Sequence, residues 1–216
     1  MKRLIIFSLA ILICLPTAFA RRKKKKSGVI ENNVYTDAKY DFKLTLLENW
    51  DRELQKPDSD FRIVLNQKEH EIPPDLMQFP QLAEVPELKV FSCKQTMDPK
   101  VFIDSLVSPT YSTDTKKELF KDLVALKEKV EFTGFKTTQR MSIKIDDKKA
   151  AKWEGTTNYI NDLGMGETIP RTYAFGIVCV QNGEEMLIFT LSTEQMFFQE
   201  VLKEAMTMIE SLKWEG

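Results

Sequence analysis

The sequence contains few of the residue types that many functional classes require. Its 216 residues include one histidine, three cysteines, eight glycines and nine prolines. The single histidine, His70, excludes HExxH and other multi-histidine zinc sites. Low glycine and proline content excludes a collagen-like or wholly disordered chain, and few cysteines exclude a disulfide-dense scaffold. Since no G-x-S-x-G nucleophile elbow is present, a Ser-His-Asp triad built on His70 is a weak hypothesis.

Motifs for cofactors and metal ions are also missing. Gly164-Met165-Gly166 lacks the third glycine and the following helix of a dinucleotide fingerprint, so it predicts a turn. Asp146 and Asp147, with Asp162 elsewhere, offer oxygen ligands to a hard cation, but no calcium-loop spacing surrounds them and a hairpin turn is the preferred interpretation. His70 lies between two glutamates, where a solvated side chain is the commoner case. We therefore predict no catalytic residue, no metal site and no cofactor.

The N-terminal segment has the pattern of a secretory signal peptide. A short basic start precedes an apolar run over residues 4–16, and Ala18-Phe19-Ala20 forms a small-x-small cleavage site. We predict removal of residues 1–20 after Ala20 and export to the periplasm or the medium. The alternative is a retained anchor with the globular part in the cytoplasm, because the positive charge that follows resists translocation.

Six consecutive cations follow the predicted cleavage site and begin a predicted disordered tail over residues 21–29. They are Arg21, Arg22, Lys23, Lys24, Lys25 and Lys26. Lysine and arginine total 31 against 32 acidic residues, so the body beyond this tail is acidic. An acidic body argues against a nucleic-acid partner. The tail itself is either a solvated spacer or a weak contact with a polyanion or an anionic surface.

Two cysteines remain after the predicted cleavage, Cys93 and Cys179, each on a predicted strand. In an oxidising compartment, two is the number expected for one disulfide. The alternative is two buried thiols on strands that are not neighbours, and the sequence leaves both open.

Periodicity predicts short strands in the first half of the body. Apolar and polar residues alternate from Val34 to Leu46, and further strands are predicted from Trp50, over 61–65 and over 88–94. The loop 68–84 contains three prolines, which cannot donate within a β ladder. Its Met77, Phe79 and Leu82 make it a candidate docking surface, and a lid packed on its own sheet is the alternative.

The remaining elements are helices and hairpins. Asp98-Pro99 predicts a helix start, and Thr115-x-x-Glu118 predicts a longer helix that ends before Gly134. Residues 141–155 predict one hairpin, and Gln181-Asn182-Gly183-Glu184 predicts a type I′ turn that pairs Cys179 with Met186 and Ile177 with Ile188. The strands beside that turn are apolar throughout, so both sheet faces should be covered. A capping box, Ser192-x-x-Gln195, predicts the closing helix.

Residues 30–216 resemble the PsbP-like family. The likeness lies in Tyr35-x4-Tyr40-x-Phe42-x-Leu44 followed by Trp50, in the hairpin over 141–159, and in Met208-Ile209-Glu210-Ser211-Leu212. The resemblance implies one α+β domain, an antiparallel sheet sandwiched between helices. It also implies a docking or assembly module rather than an enzyme, and no functional residue of the family is carried over.

The leading functional hypothesis is an exported, non-enzymatic interaction module that binds a protein or envelope partner. The first alternative is a secreted hydrolase of unknown substrate, which would need a polar cleft with perturbed acids. The second is a protein that binds polyanions or membrane surfaces through Arg21–Lys26.

Overall fold

The computed structural model describes residues 26–80, 83–108, 135–164 and 167–214, with the backbone alone over 159–169. Eleven strands and two α-helices are present in these ranges. In chain order they are β1 (Gly28–Glu31), β2 (Val34–Asp37), β3 (Phe42–Thr45), β4 (Trp50–Leu54), β5 (Phe61–Gln67), β6 (Glu87–Lys94), α1 (Pro99–Val107), β7 (Lys136–Ile145), β8 (Lys148–Gly164), β9 (Glu167–Asn182), β10 (Glu185–Glu194), α2 (Phe198–Glu210) and β11 (Lys213–Trp214). Short 3₁₀ turns cover Pro74–Leu76 and Gln195–Phe197.

The strands form two antiparallel sheets. The large sheet has the order β4-β5-β6-β10-β9-β8-β7, and the small sheet has the order β1-β2-β3-β11. The α+β class predicted from the sequence is therefore confirmed. A single sheet was predicted, whereas the first three strands form a separate small sheet with the C-terminal β11.

Both faces of the central strands β9 and β10 are buried, as their apolar sequences predicted. On one face, Val178 and Phe189 share a core with α2 and the small sheet. On the other face, Ile177 and Ile188 share a core with α1. Alternate residues of a strand point to opposite faces, so this division follows from the period of two. Helix α2 and the small sheet together cover the first face.

Helix α1 begins as the sequence predicted. The Asp98 carboxylate accepts a hydrogen bond from the Lys100 backbone N–H, and Pro99 occupies the first helical position. The apolar stripe of α2 is also buried, but its predicted capping box is wrong. Ser192 lies within β10, which continues to Glu194, and the helix N-cap is Phe197 without a side-chain hydrogen bond. Sheet pairing along β10 therefore displaces the helix start.

The hairpin turns were located correctly, but one register was not. Asp146 and Asp147 both have positive φ and form the turn between β7 and β8. Between β9 and β10 only Gly183 has positive φ, as in a type II′ turn. Asn182 therefore pairs with Glu185, and Cys179 lies opposite Ile188 instead of Met186. The shift of two residues preserves the face of each side chain because the side-chain period is also two.

Cys93 and Cys179 do not form a disulfide with each other in the structure. Cys93 lies on β6 and Cys179 on β9, with β10 between these strands. Two strand spacings separate their backbones by about 9.5 Å or more, which exceeds the roughly 7 Å limit for a disulfide. Burial, reinforced by the nearby Cys93 thiol, raises the pKa of the Cys179 thiol. The alternative of two thiols on strands that are not neighbours therefore describes this structure.

The structure tests the N-terminal predictions only over the last residues of the predicted tail. Residues 1–20 and 21–25 lie outside the described residues, as does the helix predicted from Thr115-x-x-Glu118. Residues 28 and 29, assigned to the tail from the sequence, belong instead to β1. Asn32 and Asn33 adopt positive φ and turn β1 into β2, because asparagine tolerates this backbone conformation. Within the four described ranges, no helix is long and apolar enough to cross a membrane.

Candidate functional site

A buried arginine links the proline-rich loop to the central strands. Arg171 lies on β9, and its Nη1 donates to the Asp75 carboxylate at 2.7 Å. Its Nη2 lies 2.5 Å from Glu194 Oε1 at the end of β10. The Arg171 and Glu194 side chains are almost fully buried, whereas 56% of the Asp75 side chain is exposed. Arg171 therefore connects a core carboxylate to one at the surface.

A second contact fixes the end of the same loop. The Tyr173 hydroxyl donates to Glu84 Oε1 at 2.8 Å. Tyr173 is two residues from Arg171 and pairs with Glu194 across the β9–β10 ladder. We call Asp75, Glu84, Arg171, Tyr173 and Glu194 the Arg171 cluster. One cation faces three carboxyl groups in this cluster, so its charge is negative when all are ionised.

Burial perturbs the ionisation of the cluster. Desolvation raises the pKa of Glu84, and the neighbouring Glu194 charge reinforces this rise against the hydrogen bond from Tyr173. Desolvation also raises the pKa of Glu194, although Arg171 opposes the change. Desolvation lowers the pKa of the Arg171 guanidinium, but Glu194 and Asp75 outweigh this effect and raise it overall. The arginine thus stays charged while two carboxyl groups are more readily protonated than usual.

Hydrogen bonding within the Arg171 cluster is incomplete. Arg171 Nε is buried without a hydrogen-bond partner among the described residues, whereas Glu194 Oε1 forms an ion pair with Arg171 Nη2. Buried polar groups usually have partners, and an unsatisfied one costs about 1 to 3 kcal/mol. The cluster therefore holds the loop at an energetic cost.

Three exposed apolar residues lie next to members of the cluster along the chain. Met77, Met196 and Val85 are 67%, 60% and 39% exposed. Each is one or two residues from a cluster member in sequence, so their backbones lie within about 7 Å of that member's. We call Met77, Val85 and Met196 the methionine patch. Flexible, polarisable methionines suit an adaptable binding surface.

The predicted docking loop divides into exposed and packed parts. Met77 is exposed and Phe79 is half-buried, whereas Leu82 lies outside the described residues. Leu76, next to Met77, is fully buried. The loop therefore packs on the sheet and leaves Met77 exposed, and its role in docking stays a prediction. The cluster that fixes the loop was not identified from the sequence.

The signal that could have identified the cluster is a charge at the edge of an apolar strand. Arg171 precedes the apolar stretch of β9, and Glu194 follows that of β10. Because both strands were expected to be buried on both faces, charges at their shared end needed partners. Their partners Asp75 and Glu84 are remote in sequence, and no local pattern connects them.

The remaining candidate residues do not form a site. His70 is half-buried in the loop, and no hydrogen bond or ion pair joins it to another described residue. Asp146 accepts hydrogen bonds from Lys213 Nζ and the Trp214 backbone N–H, which joins the β7–β8 turn to β11. Across the described ranges, no group of three or more His, Cys, Asp or Glu side chains is arranged to hold a metal ion. Lys26, the one described residue of the basic run, donates to the Leu54 carbonyl.

These features define an α+β antiparallel protein with a loop fixed to the end of its large sheet. No family model matches the chain, and no curated protein matches it. Its fold is similar to that of PsbP from Synechocystis sp. PCC 6803, with 13% identity, 84% of this chain and 91% of that chain covered, and a TM-score of 0.46. A PsbP structure is thus among the similar folds, as the sequence resemblance predicted.

Two further solved structures are similar. LpqN, involved in cell envelope biogenesis of Mycobacterium tuberculosis, is 12% identical over 80% of this chain and 82% of that chain, with a TM-score of 0.41. The Saccharomyces cerevisiae Ran-binding protein Mog1p is 8% identical over 86% and 96%, with a TM-score of 0.46. Similarities of this degree assign neither an activity nor a partner.

Proposed function

We propose that this chain is an exported, non-enzymatic interaction module that binds a protein partner through the methionine patch and the adjacent Asp75. The observation that carries the proposal is the fixing of an exposed, methionine-bearing loop to a buried polar cluster. Such an anchor keeps apolar side chains in solvent when the loop could otherwise rearrange to bury them.

The charge of the surface indicates the kind of partner. Asp75 is half-exposed beside Met77, and the same loop carries the exposed Glu69 and Glu71. Arg171 is buried, so its positive charge is not available at the surface. A partner that presents apolar side chains flanked by lysine or arginine would complement this surface.

Export is proposed from residues 1–20 and their Ala18-Phe19-Ala20 site. N-terminal sequencing of the native protein tests it, and a mature chain that begins at Arg21 is the expected result. A native chain that retains residues 1–20 would contradict export by cleavage.

We further propose that Arg21–Lys26 make at most a weak contact with anionic surfaces. Deleting them should lower association with anionic vesicles at low salt only.

The binding surface is tested by site-specific photo-crosslinking in cells. A photoreactive residue at position 77 should form an adduct with one protein, which is then purified and bound to the pure chain. Met77→Asp and Met196→Asp should each weaken this binding by about tenfold or more, because a carboxylate would replace a buried apolar contact.

Val29→Asp is the matched control because Val29 is 57% exposed on β1 of the small sheet, which covers the face of the large sheet opposite to the one that carries Tyr173. It introduces the same charge without changing the methionine patch, so it should leave the affinity unchanged. Equal weakening by all three substitutions would contradict the proposed surface.

A further inference from the structure

A small pocket lies at the opposite end of β10 from the Arg171 cluster. It lies on the face of the large sheet that the small sheet covers, and its volume is about 40 Å³. The pocket is lined by polar Ser92, Asn182 and Glu185, by aromatic Tyr40, Phe42 and Trp214, and by Met186 and Leu187. Glu194 ends β10 and Glu185 begins it, so the pocket is separate from the proposed docking surface.

Two oxygen atoms of the pocket residues are buried without a hydrogen-bond partner. They are Ser92 Oγ and Glu185 Oε2. Ser92 is 1% exposed, and it pairs with Leu187 of β10 in the sheet. A buried carboxylate oxygen without a donor is costly, so its presence beside a cavity indicates a donor that occupies the cavity.

None of the cations that the structure describes supplies that donor. Lys94 pairs with Glu185 across the β6–β10 ladder, yet no ion pair forms between their side chains. Lys39 and Arg62 lie over the Tyr40 ring, with Arg62 bound to Asp37. Among the described residues, the half-buried Glu185 therefore forms no ion pair at the pocket, and its Oε2 is without a donor.

The aromatic residues favour a cation in this position. Lys39 Nζ lies 4.6 Å from the Tyr40 ring centroid, and Lys148 Nζ lies 5.9 Å from that of Trp214. Both rings thus already attract cations from the chain, as the negative faces of aromatic rings do. Aromatic rings combined with a carboxylate and a hydroxyl are suited to an organic ammonium group.

The two acceptor atoms limit the kind of group. The free volume of about 40 Å³ exceeds the roughly 10 to 15 Å³ that one water needs by the same measure. Glu185 Oε2 and Ser92 Oγ lack N–H donors, which a primary ammonium group supplies and a trimethylammonium group does not. We infer that this pocket binds a primary alkylammonium group, whose N–H groups donate to Glu185 Oε2 and Ser92 Oγ and whose first carbon packs beside the Tyr40 and Trp214 side chains.

Titration of the full chain with methylammonium chloride tests the inference through the tryptophan indole N–H signals in NMR. Trp214 lines the pocket, whereas Trp50 Nε1 donates to Glu204 and Trp153 Nε1 donates to Thr137 elsewhere. A saturable shift of the Trp214 signal alone is expected. Tetramethylammonium chloride at equal ionic strength should produce no such shift. If methylammonium gives no saturable shift, or if both salts give the same one, the inference fails and the pocket holds water only.

Glu185→Gln should weaken methylammonium binding by about tenfold or more, because it removes the charge of the acceptor. Glu184→Gln is the control, since this exposed neighbour loses the same charge outside the pocket. Equal effects of the two substitutions would overturn the inference. If Glu185→Gln does not fold, Ser92→Ala replaces it, with an expected weakening of about fivefold. Unchanged affinity in Ser92→Ala would then overturn the inference.

The source of the ammonium group is distinguished by two further probes. One is n-butylamine, and the other is a lysine blocked at its α-amino and carboxyl groups. Tighter binding of the blocked lysine assigns the pocket to a lysine side chain of a protein, and equal binding assigns it to small amines. Failure of both probes to bind contradicts the inference without affecting the methionine patch, which lies at the other end of β10.

Discussion

The molecule contains two buried clusters of similar composition that differ in how completely they are hydrogen-bonded. In the Asp37–Arg62 cluster (Ser27, Tyr35, Asp37, Arg62), Arg62 Nε donates to Asp37 Oδ2 at 2.8 Å, and both side chains are fully buried. The remaining Arg62 nitrogens donate to Asp37 Oδ1 and to the backbone carbonyls of Ser27, Pro57 and Ser59. Every donor nitrogen of this arginine has a partner.

The Arg171 cluster also combines an arginine, carboxylates and a tyrosine, but it leaves Arg171 Nε without a partner. Two of its carboxyl groups have raised pKa values, and Asp75 reaches solvent. In the Asp37–Arg62 cluster, Arg62 of β5 binds Asp37 at the end of β2 and Ser27 just before β1, all inside the fold. The comparison shows complete pairing in a cluster inside the fold and incomplete pairing in a cluster that extends to the exposed Asp75.

The strongest test of the comparison is removal of a carboxylate from the well-paired cluster. Asp37→Ala should lower the free energy of unfolding by about 3 to 5 kcal/mol, because it leaves the Arg62 charge buried and uncompensated. Denaturant unfolding measures this loss. Asp51→Ala, which removes an exposed carboxylate from β4, should change stability by less than about 0.5 kcal/mol. Similar losses in both variants would contradict a structural role for Asp37.

The tyrosines of the two clusters allow a matched comparison. Tyr35 donates to Asp37 at 2.6 Å, and burial followed by this hydrogen bond raises the pKa of Tyr35. Tyr35→Phe should cost about 1.5 to 3 kcal/mol, the usual range for a hydrogen bond to a charged group. Tyr173→Phe should cost about 0.5 to 1.5 kcal/mol, because Glu84 has a raised pKa and can become neutral. If Tyr173→Phe lowers the free energy of unfolding more than Tyr35→Phe does in denaturant unfolding, the Asp37–Arg62 cluster is not the more stabilising of the two.

Removal of the Arg171 guanidinium should affect the 68–84 loop more than the stability of the whole fold. Arg171→Met should lower the free energy of unfolding by about 1 to 3 kcal/mol, because protonation of Glu84 and Glu194 relieves part of the uncompensated charge. Cleavage of the 68–84 loop by a glutamate-specific protease should become faster than in the original chain. Arg140→Met removes a half-exposed arginine paired with Asp104 and should leave this cleavage rate unchanged. Unchanged cleavage in Arg171→Met would show that the cluster does not fix the loop.

The smallest expected effect is a change in pH dependence. Because the folded-state pKa of Glu84 is raised, the folded chain binds more protons than the unfolded chain between the ordinary and the raised pKa. The contribution of Glu84 to the free energy of unfolding therefore decreases as pH rises through this interval and is least favourable above it. Glu84→Gln should remove this decrease.

At pH 7, Glu84→Gln should be as stable as the original chain or more stable, and the difference should vanish as the pH falls to about 4, near the ordinary carboxyl pKa. Urea unfolding at several pH values measures it. Glu69→Gln is the control because Glu69 is exposed in the same loop. A variant that loses stability relative to the original chain as pH rises would contradict the raised pKa of Glu84.

Local patterns predicted the elements that depend on local chemistry. Alternation located β3, and the Asp98-Pro99 pair located α1, because capping and side-chain period are short-range effects. The register of β9 and β10 was wrong by two residues, since Asn182-Gly183 is compatible with more than one two-residue turn. The site was predicted only in part. Met77 was named and is exposed, but Arg171 and Glu194 were not named.

Local patterns were enough to predict the α+β class, the burial of both faces of the central strands and the proline-rich loop. Contacts between distant segments bring Arg171 to Asp75 and Glu194, place Glu185 beside an aromatic pocket, and add β11 to the small sheet. The physical reason is chain separation. A buried charge requires a partner, but only the packing of distant strands and loops decides which residue fills that role.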